Sequence, residues 1–70
     1  SVGVVNNYFT CKQTARLMSI FTWDDEKMKV LRMVSNRIVD RENGKEIIKT
    51  LDSLFTQDDA RKILGITNQW

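Results

Sequence analysis

Apolar residues in the middle of the chain recur at three- and four-residue spacing, the period of a helix with one buried face. In the stretch DDEKMKVLRMVSNRIVD the stripe is Met28, Leu31, Val34 and Ile38, widened by Val30 and Met33. Lys27, Lys29, Arg32 and Asn36 fall mostly elsewhere around the cylinder. Asp24, Asp25 and Glu26 occupy the first turn and Arg37 and Arg41 lie near the end, the charge order a helix macrodipole favours. A shorter helix precedes it, from about Lys12 to Phe21, with Ala15, Leu17, Met18 and Phe21 on its buried side. Thr10 and Gln13 have the spacing of a capping box, in which each side chain closes an unpaired amide of the helix start.

After the turn VDREN a third helix is expected from Gly44 or Lys45 to Ser53, with Ile47, Ile48, Leu51 and Leu54 facing the core. A fourth starts after Phe55 and Thr56, carries Ala60, Ile63 and Leu64, and stops near Gly65, a natural left-handed cap. Proline is absent and glycine occurs three times, so little interrupts the helical pattern. The fold expected is all-α: a compact bundle of about four short helices built from helix–turn–helix units resembling a helical repeat. Residues 1–70 form one small domain, read as a piece of a longer protein. Within it, 1–7 are a truncated helix or a flexible arm and 66–70 a loosely held tail.

One motif is written twice. FTWDD begins at Phe21 and FTQDD at Phe55, thirty-four residues later, a separation within the periods of helical arrays. The expectation is a shared helix start, with phenylalanine on the core, threonine as cap and the aspartates in the first turn. Catalysis is the weaker reading of the pairs Asp24–Asp25 and Asp58–Asp59. Neighbouring side chains on a helix diverge by about 100° and cannot converge on one substrate.

Composition narrows the chemistry further. Seventy residues give a thin core, and the chain has one cysteine, Cys11, and no histidine. An internal disulfide is therefore excluded, as is a tetrahedral zinc site of the usual Cys/His kind. Cys11 is the one candidate nucleophile, but no histidine can serve as its base, and the role of a small buried hydrophobe is preferred. DRENGKEIIKTL fails as a calcium loop, because Gly44 falls at the fifth position and Leu51 stands where the bidentate glutamate belongs. No glycine-rich phosphate loop exists, no cofactor is implied, and the expectation is a protein without catalysis. No segment offers the ~18 apolar residues of a membrane span, and no signal-peptide pattern is present. The unpaired thiol leans toward a reducing, intracellular setting.

Two binding readings remain. Lys27, Lys29, Arg32, Arg37, Arg41, Lys45 and Lys49 form a basic stripe that could lie on nucleic-acid phosphates. The net charge is only +2, however, and Asp24, Asp25, Glu26, Asp40, Glu42 and Glu46 interleave with the stripe. The preferred reading is docking of a protein partner, with Tyr8, Trp23 and Trp70 as aromatic anchors and Lys29 and Arg32 beside them. Trp23 also has a structural alternative, as a staple onto Met28 at the helix entrance.

Tyr8-Phe9-Thr10, Gln13, Leu17, Phe21, Trp23, Lys27, Leu31, Ile38-Val39-Asp40 and Asn43 together make a pattern running from about Asn6 to Leu64. This pattern resembles the family called domain of unknown function 4476, small helical domains found in bacterial proteins and in animal proline- and serine-rich proteins. The resemblance implies helix–turn–helix units, often repeated and attached to long low-complexity regions. It carries no catalytic residues with it.

Overall fold

A computed structural model describes residues 8–66. The readings made for residues 1–7, for the last four residues and for Trp70 lie outside it. Four α-helices are present among the described residues: α1 Cys11–Ser19, α2 Asp24–Val34, α3 Lys45–Ile48 and α4 Leu54–Leu64. Two 3₁₀ turns, Ser35–Arg37 and Arg41–Asn43, carry the chain from α2 to α3. The all-α class follows directly from the helical spacing of the sequence.

The start of α1 forms as its spacing requires. Thr10 accepts from the Gln13 amide and the Gln13 side chain accepts from the Thr10 amide, a complete capping box. At the other end of the chain α4 stops at Gly65, whose φ of 72° is a left-handed conformation that costs glycine nothing. Gly44 has a different reason to be glycine. A Cβ there would stand 2.8 Å from Ile66 Cδ1 and 3.1 Å from Leu64 Cδ1, so the end of α4 is packed directly onto its backbone.

Several boundaries differ from expectation, each for a physical reason. The long central helix breaks after Val34, where Ser35 and Asn36, poor helix-interior residues, turn into 3₁₀ geometry. Ile38 then leaves the helix in an extended conformation yet stays buried, bridging Phe9 in parallel. Phe9 donates to the Arg37 carbonyl at 2.9 Å and accepts from the Val39 amide at 3.0 Å. The third helix is only four residues long, closed by tighter bonds from the Thr50 and Leu51 amides to the Ile47 and Ile48 carbonyls, and α4 starts earlier than its apolar pattern suggests. Ser53 caps α4 by accepting from the Phe55 amide, which puts Leu54 inside its first turn and 79% exposed rather than in the core.

The repeated motif therefore meets its two helices in different register. In the first copy Phe21 and Thr22 precede the helix, and Asp24 opens it. In the second copy Phe55 and Thr56 already lie within the helix, and Phe55 is 85% exposed. Neither Thr22 nor Thr56 is an N-cap. Those positions belong to Trp23 and Ser53, and Trp23 gives no side-chain bond.

The core gathers Cys11, Ala15 and Met18 of α1, Met28 and Leu31 of α2, Ile38, Ile47, Ile48, Leu51, and Ala60 and Leu64 of α4. Helix α1 packs on α2 and α3, and both of those meet α4. Leu17 and Phe21 lie at the margin instead of inside, and Met33 points outward at 78% exposure, so the buried stripe of each helix is narrower than its sequence suggests.

Candidate functional site

Four of the charged residues that stand out in the sequence, Asp24, Lys27, Asp40 and Arg41, bond across the fold and hold it. Asp24 opens α2, but its carboxylate serves the start of α4. It accepts from the amides of Asp52 (3.1 Å) and Ser53 (2.9 Å) and from the Thr56 hydroxyl (2.6 Å). The Thr56 hydrogen bond, aided by the Ser53 and Asp52 amides, holds the Asp24 pKa below its ordinary value against the opposing effect of burial. Thus the first copy of FT-x-DD is tied to the second through Asp24 and Thr56.

Asp40 performs the same service for α1. Its carboxylate accepts from the Cys11 amide at 2.7 Å and from Asn43 Nδ2 at 3.0 Å, and its own carbonyl accepts the Cys11 thiol at 3.0 Å. The Asn43 bond is the main cause of a lowered Asp40 pKa, followed by the contacts with Cys11. For Cys11 itself, burial first and the Asp40 charge second push the thiol up to about 12. A thiol that stays protonated at neutral pH is a poor nucleophile.

Folded-state pKa values of Asp24 and Asp40 lie below their unfolded value of 3.8. The stability they lend is complete above that value and is lost as pH falls through the lower, folded values. Asp24→Ala is expected to cost about 1–2 kcal/mol at pH 7, the range of a lost helix cap. It should also flatten the acid side of the stability profile. Denaturant melts of both proteins from pH 7 to pH 2 check this. Parallel profiles for wild type and variant would show that the carboxylate does not stabilise the fold.

The basic stripe is broken up in the same way. Lys27 is buried, and its ammonium donates to the Thr50 carbonyl at 2.7 Å, closing the end of α3. Arg41 reaches the Ile63 (3.3 Å), Leu64 (3.1 Å) and Ser35 (2.6 Å) carbonyls, joining the end of α4 to the end of α2. Lys49 pairs with Glu46 at 2.9 Å. Lys29 and Arg32 remain exposed, as the sequence suggested, but they border a cleft shared with Asp25 and Asp59. The continuous cationic track from Lys27 to Lys49 does not form.

Tyr8 is exposed, and Trp23 is 70% exposed, lining a shallow cleft with Thr22, Asp24, Asp25 and Asp52. The staple of Trp23 onto Met28 is not made, since the indole stays in solvent while Met28 is buried. The site that sequence reading missed lies between α1 and α2. Leu17, Ile20, Phe21, Val30, Met33 and Val34 line an open groove of about 290 Å³ that is apolar almost throughout. Its sequence signal is the excess width of both apolar stripes. No group of three metal-ligating side chains comes together among the described residues, and none of the described helices is long and apolar enough to cross a membrane.

A family model described as "domain of unknown function (DUF4476)" matches residues 2–64. No curated protein and no solved structure matches the chain.

Proposed function

The chain belongs to the DUF4476 family, and we propose that it is a non-catalytic docking module of a larger protein, binding a protein partner in the groove between α1 and α2. In this reading its helix–turn–helix units are elements of a repeated helical architecture. The observation that carries the proposal is the apolar lining of the groove, which holds side chains as large as Ile20, Phe21 and Met33 in solvent. A small domain with a thin core gains nothing in stability from displaying them there, and exposed contiguous apolar surface marks interaction sites. Trp23, exposed in a separate cleft with Asp25 and Asp52, is a further apolar feature of the surface, of the aromatic type that dominates interface energetics.

The nucleic-acid reading has less support, because Lys27, Arg41 and Lys49 are engaged within the fold. Two measurements separate the readings. Met33→Glu, at a position already facing water, should leave the melting temperature within about 2 °C while abolishing capture of protein partners from lysate. The double variant Lys29→Glu, Arg32→Glu should leave capture intact. In a salt titration against generic single- and double-stranded DNA, binding with a steep salt slope that the double variant removes would overturn the protein-docking reading.

A further inference from the structure

The molecule displays two apolar features of opposite electrostatic setting on opposite sides of α2. One is the groove. The other is a knob formed by Leu54 and Phe55 in the first turn of α4, 79% and 85% exposed. Helix α4 lies against the face of α2 that carries Met28 and Arg32, as the cleft shared by those residues with Thr56 and Asp59 shows. Val30, Met33 and Val34 look the other way. A single copy therefore cannot bring its own knob into its own groove.

Charge distinguishes the two surfaces. Exposed Arg16 stands one turn before Ile20, and exposed Arg37 lies in the 3₁₀ turn beyond Val34, while Lys29 lines the cleft on the α4-facing side. Glu26, one turn before Val30, is the carboxylate on that side. At the knob, Asp58 stands one turn after Leu54 and Asp52 precedes both, while Asp59 lines the cleft beside Arg32. Asp58 has Lys62 3.6 Å away as a surface partner, a weak screen on an exposed helix. A cation-rimmed apolar groove and a carboxylate-flanked apolar knob are complementary in both respects.

We infer that the occupant of the groove is a second copy of this domain, bound head-to-tail, with Leu54 and Phe55 of one copy seated among Leu17, Ile20, Phe21, Val30, Met33 and Val34 of the next. This rests on the docking reading of the groove and names its partner. The contact joins two different patches, so it is heterologous and propagates along a row of copies instead of closing into a symmetric pair. It also gives the repeated motif a role on both sides of one interface, Phe21 lining the groove that receives Phe55. A knob of two side chains buries much less than the roughly 1,000 Å² of a stable complex, so between separate chains the association is weak and salt-sensitive. Copies joined in tandem on one chain reach it through high effective concentration.

Sedimentation velocity on the isolated chain, up to about 1 mM, where an association worth about 4 kcal/mol becomes visible, provides the test. Wild type is expected to show a sedimentation coefficient that rises steadily with concentration and falls back on adding salt. Phe55→Lys removes the knob and Met33→Glu removes the groove, and both positions are exposed, so each variant should stay folded and monomeric. Mixed in equal amounts, the two variants retain one intact groove and one intact knob between them. They should form a one-to-one dimer that grows no further. Wild type that stays monomeric throughout overturns the inference, as does a mixture that fails to pair while wild type associates. If wild type is monomeric but Met33→Glu still loses a captured foreign partner, the second-copy occupant falls and the docking reading stands. If capture is also unaffected, both fall.

Discussion

Leu31→Asp unfolds the domain. Leu31 is completely buried at the centre of the α2 face that meets α1 and α4. Removing a buried leucine side chain costs about 2–5 kcal/mol, and a carboxylate at the same place is buried while the Lys27 ammonium, one turn before it, is already held by the Thr50 carbonyl. A chain of this size has roughly 3–5 kcal/mol of stability in total. The loss exceeds the margin, so the variant should show no cooperative thermal transition and little helical circular dichroism at 25 °C. Met33→Asp, two residues along the same helix, is the natural comparison, because its side chain already lies in water. It should melt close to wild type. A Leu31→Asp protein with full helicity and a cooperative melt would mean that α2 does not bury the face described.

Arg41→Ala is the second large effect, and it acts through backbone carbonyls. One guanidinium serves the last carbonyls of α4, Ile63 and Leu64, and the Ser35 carbonyl beyond α2. Without it these partly buried acceptors lose a charged donor, and the ends of α2 and α4 lose their common tie. Hydrogen bonds to charged groups are worth about 1.5–3 kcal/mol each at most, and these three share one side chain, so a loss of about 2–3 kcal/mol is expected. That corresponds to a fall in melting temperature of roughly 10–20 °C for a domain this small. Arg41→Lys should recover only part of it, since one ammonium cannot reach both helix ends in the fork geometry of arginine. An Arg41→Ala melting temperature within 2 °C of wild type would show the fork to be incidental.

These two sites also show what the sequence could and could not disclose. Features decided within four or five residues were legible: the capping box of Thr10 and Gln13, the acidic first turn of α2, and the glycine that ends α4. The core members Met28, Leu31 and Ile47 were legible too, because helical periodicity marks them directly. What stayed hidden depends on residues far apart in the chain. The Asp24 carboxylate meets Thr56, the Lys27 ammonium meets the Thr50 carbonyl, and Arg41 meets Leu64. Each looked like part of a solvated charged face, and each proved to cap a distant helix end. The groove was misread for a related reason. Periodicity shows that Leu17, Phe21, Val30 and Val34 share faces with the core, but not where one helix stops covering another. The repeated FT-x-DD motif was legible as a repetition and misleading as a start signal, because Ser53 captures the N-cap of α4 and shifts the second copy into the helix.

The central proposal is a division of labour: Asp24, Lys27, Asp40 and Arg41 hold the fold, and the groove between α1 and α2 is the surface proposed to meet other protein. Site-specific photo-crosslinking addresses it most directly. A photo-reactive phenylalanine analogue is placed at Met33 in the groove and, separately, at Arg32 in the cleft between α2 and α4, and the adducts are identified by mass spectrometry. The account predicts protein adducts from position 33 that are absent from position 32. Adducts formed from position 32 alone, or nucleic-acid adducts in place of protein, would contradict it.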